Sequence, residues 1–349
     1  MSNFFNKIKN IKRPYIIAEL GSNHNGDMKI AEQLIKKAKK AGADCVKFQS
    51  WTSKSIFSKI KYKQNYFLKD DYRKRTDYSL EDIVKKFSIS QNQLYKMMLI
   101  AKKNKIDFAS TPFSNEEVNY LVKKLKPPFI KIASMDLNNY QFLEYVAKKN
   151  IPIVLSTGLS DLHEIDKAIK TIESTGNKKI VILHCVAIYP SPDTSINLRN
   201  IETLKKIYPY PIGFSDHSIG FSIPLAATSM GVSIIEKHFT LDKAMFGWDH
   251  KVSCDYKELK IICEETKRIS KSLGSSEIKV QEDSIRINEF RRSIVAKKPI
   301  KKGSVIKSKD VTFKRPGWGI EPEFVEFIIN RKAKNNISKD TIIRLEDLV

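Results

Sequence analysis

Between Tyr15 and Thr240 the chain alternates two kinds of pattern. Short, nearly continuous apolar runs rich in Val, Ile and Phe are each followed by a stretch with apolar residues at helical spacing. The runs are YIIAEL (15–20), CVKFQS (45–50), DFASTPF (107–113), FIKIAS (129–134), IPIVLSTG (151–158), KIVILHCVA (179–187), IGFSDH (212–217) and VSIIEKHFT (232–240). Runs apolar at consecutive positions suit strands covered on both faces, and strand–helix repetition predicts parallel strands joined by crossover helices. Eight such units predict an α/β fold, a (β/α)8 TIM barrel. Some helix ends are legible: Asp27 precedes MKIAEQLIKKAKKA, which stops at Gly42, and Ser114 precedes NEEVNYLVKKL with acids in its first turn. Residues 51–106 form a longer insertion between the second and third strands.

The last barrel helix is expected over 256–274. The polar stretch after it, SSEIKVQEDSIRINE, reads as a linker, so the expected boundaries are a barrel domain over 1–275, a linker over 276–289 and a small domain over 290–349. The small domain has short β-like runs, a turn at Lys302-Gly303 and the segment DVTFKRPGWGIEPEF, which predicts a β-rich fold. About 60 residues fold alone only marginally, so docking against a barrel is expected.

Composition adds exclusions. At 41% hydrophobic and 10% aromatic, 349 residues can bury a core, which excludes a disordered or collagen-like chain. No apolar run approaches the roughly 18 residues that span a bilayer, and MSNFFNKIKNIKRP lacks the apolar centre of a signal peptide, so no membrane partner and a cytoplasmic location are expected. The net charge of +23, from 62 basic and 39 acidic residues, admits nucleic acid as a partner. The lysines, however, are spread along helical segments such as 30–44 and 82–87 rather than gathered in a block. A lysine-rich solvated surface without a nucleic-acid partner is therefore expected, and such a field also favours arrival of a small anion. Cys45, Cys185, Cys254 and Cys263 form no CxxC pair, which argues against a disulfide framework or zinc knuckle. Two of them sit inside strand-like runs as small hydrophobes.

In a barrel of this kind chemistry sits at the carboxyl ends of the strands. Nearly every run here ends on polar residues that its apolar body does not require: Glu19; Lys47 and Gln49; Ser110 and Thr111; Lys131 and Ser134, then Asp136; Ser156 and Thr157; His184 and Cys185; Ser215, Asp216 and His217; Glu236, Lys237 and His238. Lys47 and Lys131 among Ser134, Ser156 and Ser215 supply compact cations and short donors, which a phosphate and a carboxylate need. A Schiff-base role for Lys131 would instead demand a desolvated, deprotonated amine. His217 and His238 end adjacent strands and can ligate one metal with positions left open for water and substrate. Glu19, Asp136, Glu236 and Asp249, the last in the FGWDH loop, can supply a base and acceptors for hydroxyls. His24 could orient a substrate, and His184 could fill the barrel mouth.

These residues lie in motifs that resemble those of the sialic acid synthase family, the bacterial enzymes making N-acetylneuraminate, legionaminate or pseudaminate. The motifs are IAELGSNHNGD (17–27), VKFQS (46–50), STPF (110–113), KIAS (131–134), LSTG (155–158), HCVAIYP (184–190), GFSDHS (213–218), EKHFTLD (236–242) and KRPGWGI (314–320). The resemblance covers almost the whole chain, and its last segment resembles the family's antifreeze-like (SAF) domain. It implies condensation of phosphoenolpyruvate with an open-chain N-acyl amino sugar, giving a nine-carbon 2-keto-3-deoxy acid and phosphate by C–O cleavage. Carried over residue by residue, it implies that Lys131, Ser134, Ser156 and Ser215 hold phosphoenolpyruvate, helped by Lys47 and Thr111. His217 and His238 would bind Mn²⁺, or Mg²⁺ or Co²⁺, to polarise the sugar aldehyde and orient the water that attacks C2. Glu19, Gln49, Tyr189 and Asp249 would meet the sugar, and Glu19, Asp136 and Glu236 would be the catalytic acids, Asp136 near the metal-bound water.

The resemblance also implies a domain-swapped homodimer in which one subunit's terminal domain caps its partner's barrel, so that Arg315 reaches the acylamino group. Asp136 stands where the family usually has Glu, Ala187 where several members carry a polar residue, and Trp248 where Pro is usual. Trp51, Trp248 and Trp318 all fall beside motifs, which predicts an acceptor packed against aromatic faces, a modified or shorter sugar rather than plain N-acetylmannosamine. The alternatives are a phosphoenolpyruvate synthase acting on a shorter or differently modified aldose, and a Schiff-base pyruvate aldolase.

Overall fold

The computed structural model describes residues 4–64 and 79–349, and the chain divides into two compact units, Met1–Gly274 and Ser275–Val349. In the first unit each of the eight apolar runs contains a strand: β1 (Tyr15–Gly21), β2 (Cys45–Gln49), β3 (Asp107–Thr111), β4 (Ile130–Ile132), β5 (Ile153–Ser156), β6 (Ile180–Cys185), β7 (Ile212–Asp216) and β8 (Ile234–His238). The strands pair in parallel in the order β3-β2-β1-β8-β7-β6-β5-β4. The first strand therefore lies between the second and the last, which curls the sheet into a barrel of the TIM type.

Strand side chains alternate between faces, and two apolar layers follow from that period. Ile16, Ala18 and Leu20 of β1, Val46 and Phe48 of β2, and Ile130 and Ile132 of β4 belong to the layer shared with the surrounding helices. Their chain neighbours Tyr15, Ile17, Cys45, Phe129, Val154, Val181 and Ile234 form a separate cluster inside the barrel. The runs are continuous in sequence because both faces are covered. The interior cluster is closed by the helix Phe4–Asn10: Phe4 stacks on Phe129 at 4.8 Å and meets Tyr15 edge-on at 5.4 Å. Its seven residues make too few turns for a sequence period to show.

Local signals account for the helix ends. Asp27 accepts from the backbone N–H groups of Lys29 and Ile30, and Gly42 closes the helix Met28–Ala41 with a left-handed φ of 103°. A Cβ at Gly42 would stand 3.2 Å from Cys263 Cβ, on the helix Tyr256–Ser272, so contact as well as conformation demands glycine there. In the insertion over 51–106 the described residues form the helices Lys59–Gln64, Leu80–Phe87 and Gln91–Lys103, the last two capped by Ser79 and Ser90. Residues 65–78 of that insertion lie outside the described residues. Leu80, Ile83, Val84 and Phe87 pack with Trp51 into a satellite cluster flanked by Phe57, Phe113 and Trp248.

In the second unit, the stretch expected as a linker carries the helix Ser284–Phe290, capped by Asp283, after an exposed segment over 275–283. That helix buries none of its residues fully, so no buried stripe announced it. β9 (Ser293–Ala296) pairs antiparallel with β10 (Val311–Lys314), and Ile294, Ile306, Ile320, Ile328, Ile337 and Ile343 form the unit's own core. Gly303 turns with φ 78° where the Lys302-Gly303 turn was expected. Among the described residues no helix is long and apolar enough to cross a membrane.

Candidate active site

The strand period that makes the interior apolar at one end makes it reactive at the other. Interior positions run Tyr15, Ile17, Glu19 on β1; Cys45, Lys47, Gln49 on β2; and Ile234, Glu236, His238 on β8, apolar first and polar at the carboxyl end. The polar ends open into a cavity of about 660 Å³. Register sets the neighbours: Glu19 stands opposite both Lys47 and His238, and Ser215 opposite both Cys185 and Glu236.

Four buried charges alternate in sign at the floor of this cavity. Lys47 pairs with Glu19 and lies 3.7 Å from Glu236, whose other oxygen lies 3.5 Å from Lys131. Hydroxyls and an amide complete the set. Lys47 Nζ donates to Thr111 Oγ1 at 3.0 Å, Lys131 Nζ to Ser156 Oγ at 2.7 Å, Ser215 Oγ to Glu236 Oε1 at 3.1 Å and Gln49 Nε2 to Glu19 Oε1 at 3.2 Å. Burial, opposed by the Lys47 ammonium and reinforced by Glu236, pushes Glu19 up to about 7. At Glu236 burial acts the same way, but Lys131 and Lys47 outweigh it and hold the carboxyl below its usual range. Burial is outweighed at Lys47 by Glu19 and Glu236, which raise it, and prevails at Lys131, which is lowered. Two adjacent carboxylates thus differ in their hold on a proton.

Ser134 Oγ accepts the Gly158 N–H at 3.1 Å, and a Cβ on Gly158 would stand 2.7 Å from that oxygen and 3.2 Å from Ala187 Cβ. The glycine of LSTG is therefore required by close approach. Two ammonium groups and hydroxyls directed into one cavity can receive an anion with several oxygens.

His217 and His238 lie beside this anion site with ring centroids 5.4 Å apart, and the half-exposed Tyr189 ring sits 4.1 Å from His217. His217 Nδ1–H donates to the Val186 carbonyl at 2.8 Å, which leaves Nε2 as the ligating atom. Burial lowers the proton affinity of His217, but Cys185 and the Val186 carbonyl outweigh it, so a metal at Nε2 would compete with a proton. Burial and the nearby cations push His238 well below its usual value, in the neutral form that metals take, and its Nδ1 is buried without a hydrogen bond, 3.7 Å from Asp249 Oδ2. Burial pushes Asp249 up to about 6. Among the described residues no group of three or more His, Cys, Asp or Glu side chains is arranged to hold a metal. The donors present fit a divalent ion bound by two imidazoles, with its other positions left to water and substrate.

Residues 34–278 match the NeuB family and residues 291–349 the SAF domain. The chain belongs to the NeuB family. It is 43% identical over 336 residues to an uncharacterized protein of Methanocaldococcus jannaschii, covering 96% of this chain and 94% of that protein. It is 40% identical over 337 residues to the N,N'-diacetyllegionaminic acid synthase of Campylobacter jejuni, covering 96% of this chain and 100% of that one. The solved structure of an N-acetylneuraminic acid (sialic acid) synthetase from Leptospira borgpetersenii matches with a TM-score of 0.69 at 34% identity, covering 79% of this chain and 90% of that one.

In this NeuB-family barrel, Glu19, Lys47, Gln49, Thr111, Lys131, Ser134, Ser156, Tyr189, Ser215, His217, Glu236, His238 and Asp249 all line the one cavity. Asp136 is not among the lining residues. It ends the single turn Ser134–Asp136, half-buried, with one carboxylate oxygen lacking a hydrogen-bond partner, and Met135 faces the cavity instead. Arg315 belongs to the second unit, where its guanidinium lies 4.9 Å from the Phe290 ring, and Trp318 is an exposed residue of the same unit. Trp51 and Trp248 line the cavity with ring centroids 5.6 Å apart. Trp51 Nε1 donates to Gln49 Oε1 at 2.8 Å, which links the aromatic wall to Glu19 through Gln49.

Two histidines expected near the site lie elsewhere. His24 Nδ1 accepts the Gly26 N–H at 3.0 Å, and His184, on the outer face of β6, bonds the Ile196 carbonyl at 2.6 Å. Cys185, read as a buried hydrophobe, lines the cavity, and its interior parity with Leu183 was the signal for that. Ile56, Phe57 and Phe113 also line it, on loops whose course no strand period reveals.

Proposed function

We propose that the protein condenses phosphoenolpyruvate with an open-chain N-acylated amino sugar to give a nonulosonic acid and phosphate. It is a sugar-acid synthase of the sialic acid synthase type. The observation that carries this reading is that one cavity of a NeuB-family barrel gathers Lys47 and Lys131 with Thr111, Ser134, Ser156 and Ser215, two imidazoles, and an aromatic wall.

In the reaction, C3 of phosphoenolpyruvate forms the new bond to the aldehyde carbon, water adds at C2, and the bond from C2 to the phosphate oxygen breaks. Phosphate leaves with the former enol oxygen, and the keto oxygen comes from water. Lys47 and Lys131 bind the phosphate and carboxylate, and Ser134, Ser156 and Ser215 orient them. Glu19, half protonated near neutrality, hands a proton to the aldehyde oxygen as it becomes a hydroxyl. Glu236, kept ionised by the two lysines, accepts a proton from the attacking water. A divalent ion held by His217 and His238, Mn²⁺ or else Mg²⁺ or Co²⁺, would supply Lewis-acid polarisation of the aldehyde.

The wall formed by Trp51, Phe57, Phe113 and Trp248 favours an acceptor with apolar substituents, a 2,4-diacetamido-trideoxyhexose over N-acetylmannosamine, and the 40% identity to a named N,N'-diacetyllegionaminic acid synthase supports it. The reading includes a cytoplasmic homodimer in which Arg315 meets the acylamino group, which light scattering and Arg315→Ala would test. Mass spectrometry of products from phosphoenolpyruvate, Mn²⁺ and a panel of aldoses tests the whole. The diacetamido sugar should give the nine-carbon acid fastest. Preference for N-acetylmannosamine would overturn the acceptor, and no consumption of phosphoenolpyruvate with any aldose would overturn the function.

One observation favours a second reading: burial lowers Lys131, the direction that a Schiff-base lysine requires. Borohydride reduction with pyruvate distinguishes the two. A covalent pyruvyl adduct on Lys131 and activity that survives chelation would establish the aldolase.

A further inference from the structure

We infer that Glu117 is a positioning residue for the acceptor, holding the two loops that build the apolar wall in fixed relation through Ser55 and Phe113. This deepens, and rests on, the reading that the wall meets the sugar.

Glu117 lies in the first turn of the helix Asn115–Tyr120 that follows β3, and it is only 8% exposed. Carboxylates so buried ordinarily meet a cation or a metal. Among the described residues the partners of the Glu117 carboxylate are neutral donors: the Ser55 hydroxyl donates to Oε1 at 2.6 Å, and the Phe113 backbone N–H donates to Oε2 at 2.7 Å. Burial accordingly raises its carboxyl, with these hydrogen bonds opposing.

Each oxygen is tied to a different loop. Ser55 sits in the loop after β2, which sends Trp51, Ile56 and Phe57 to the cavity; Phe113 sits in the loop after β3 and lines the cavity itself. The bonding between these two strands continues as far as Ser50, whose N–H and Oγ both donate to the Thr111 carbonyl at 3.0 and 3.1 Å. Beyond that point the Glu117 carboxylate takes over the tie. A carboxylate suits the place because it offers an acceptor to each of two donors at once. Its desolvation is a cost to stability, which a purely structural bridge could have avoided with neutral groups.

The wall that the clamp supports is built of apolar side chains, whereas the anion site of the same cavity is built of lysines and hydroxyls, so loss of the clamp should act more on the acceptor than on phosphoenolpyruvate. In Glu117→Ala the acceptor KM should rise at least about tenfold, the scale of losing hydrogen bonds to a charged group, with the phosphoenolpyruvate KM within about twofold of wild type. The rise should be larger for a diacetamido-trideoxyhexose than for N-acetylmannosamine. Glu117→Gln, which keeps two neutral hydrogen bonds because the Ser55 hydroxyl can turn to accept, should recover most of the loss. Ser55→Ala should fall between wild type and Glu117→Ala, and it carries the test alone if Glu117→Ala does not fold. An unchanged acceptor KM in the folded variants, or equal rises in both KM values, would overturn the inference while wild-type turnover left the function standing. A wild type that consumes no phosphoenolpyruvate would overturn both.

Discussion

Removing one carboxylate from the floor of the cavity should make phosphoenolpyruvate bind more tightly while condensation stops. Lys47 is paired with Glu19 and lies 3.7 Å from Glu236, and Lys131 lies 3.5 Å from Glu236, so the two cations an anion needs are already matched by two carboxylates. Bringing a unit negative charge to about 5 Å from Glu19, at an effective dielectric near 20, costs roughly 3 kcal/mol, enough to turn a carboxyl that titrates near 7 from mostly ionised at pH 8 to mostly protonated. Binding at pH 8 should therefore take up roughly 0.8 proton, while the ligand's own phosphate, which titrates near 6, contributes little. Protonating Glu19 one pH unit above its midpoint costs about 1.4 kcal/mol, so Glu19→Gln should bind phosphoenolpyruvate about tenfold more tightly at pH 8. Because the proton is gained on binding, wild-type affinity should strengthen as pH falls from 8 towards 6, and the variant should show a shallower slope. Calorimetry in two buffers of different ionisation enthalpy, with chelator present, reads uptake and affinity together. Weaker binding by Glu19→Gln, or the same proton uptake in both proteins, would refute the exchange of carboxylate for ligand at Lys47.

Other parts of the cavity yield to simpler measurements. His217→Ala and His238→Ala should each lose Mn²⁺ retained through gel filtration and lose turnover while circular dichroism stays native; full activity of either in chelator would remove the imidazoles from the mechanism. Gly158→Ala places a Cβ 2.7 Å from Ser134 Oγ, so the phosphoenolpyruvate Kd should rise about tenfold, within the about 1–3 kcal/mol that overpacking costs, and an unchanged Kd would show that Ser134 is not a ligand to the anion. Trp51→Ala empties the satellite cluster of Leu80, Ile83, Val84 and Phe87 and should cost about 3–5 kcal/mol in urea denaturation; a loss below about 1 kcal/mol would mean that the cluster is not close-packed.

What could be read from the chain and what could not divide along the strand period. Eight runs apolar on both faces announce eight strands, and a polar residue at the end of such a run is conspicuous. Within those ends, parity decides which side chains enter the barrel. Glu19, Lys47 and Glu236 have the interior parity of the apolar residues before them, while Asp216 and Lys237 have the other and form a fully buried pair at 2.6 Å on the outer face. His184 shares that outward parity with Ile180 and Ile182, which places it under the helices rather than at the mouth. Loops have no period to read. Asp136 is displaced from the cavity by the single turn Ser134–Asp136, and Glu117 reaches Ser55 across 62 positions of sequence, a contact that only the closure of β2 against β3 creates.

The same barrel floor explains why so basic a chain needs so few of its cations. Lys47 and Lys131 are nearly fully buried, and an ammonium there without a partner would give up its proton rather than remain charged. Glu19 and Glu236 hold both lysines in register, and they do so unequally: Glu236 is shared by the two lysines and stays ionised, whereas Glu19, tied to one, is poised near 7. On the proposed reading, an arriving trianion would displace the weaker carboxylate by driving it to take up a proton from solvent, leaving Glu236 charged beside the reacting carbon and the new proton on Glu19 where an alkoxide would form. In that proposed reaction the asymmetry between two neighbouring glutamates, rather than the number of positive charges, would let one cavity both capture an anion and hold an acid and a base ready for it.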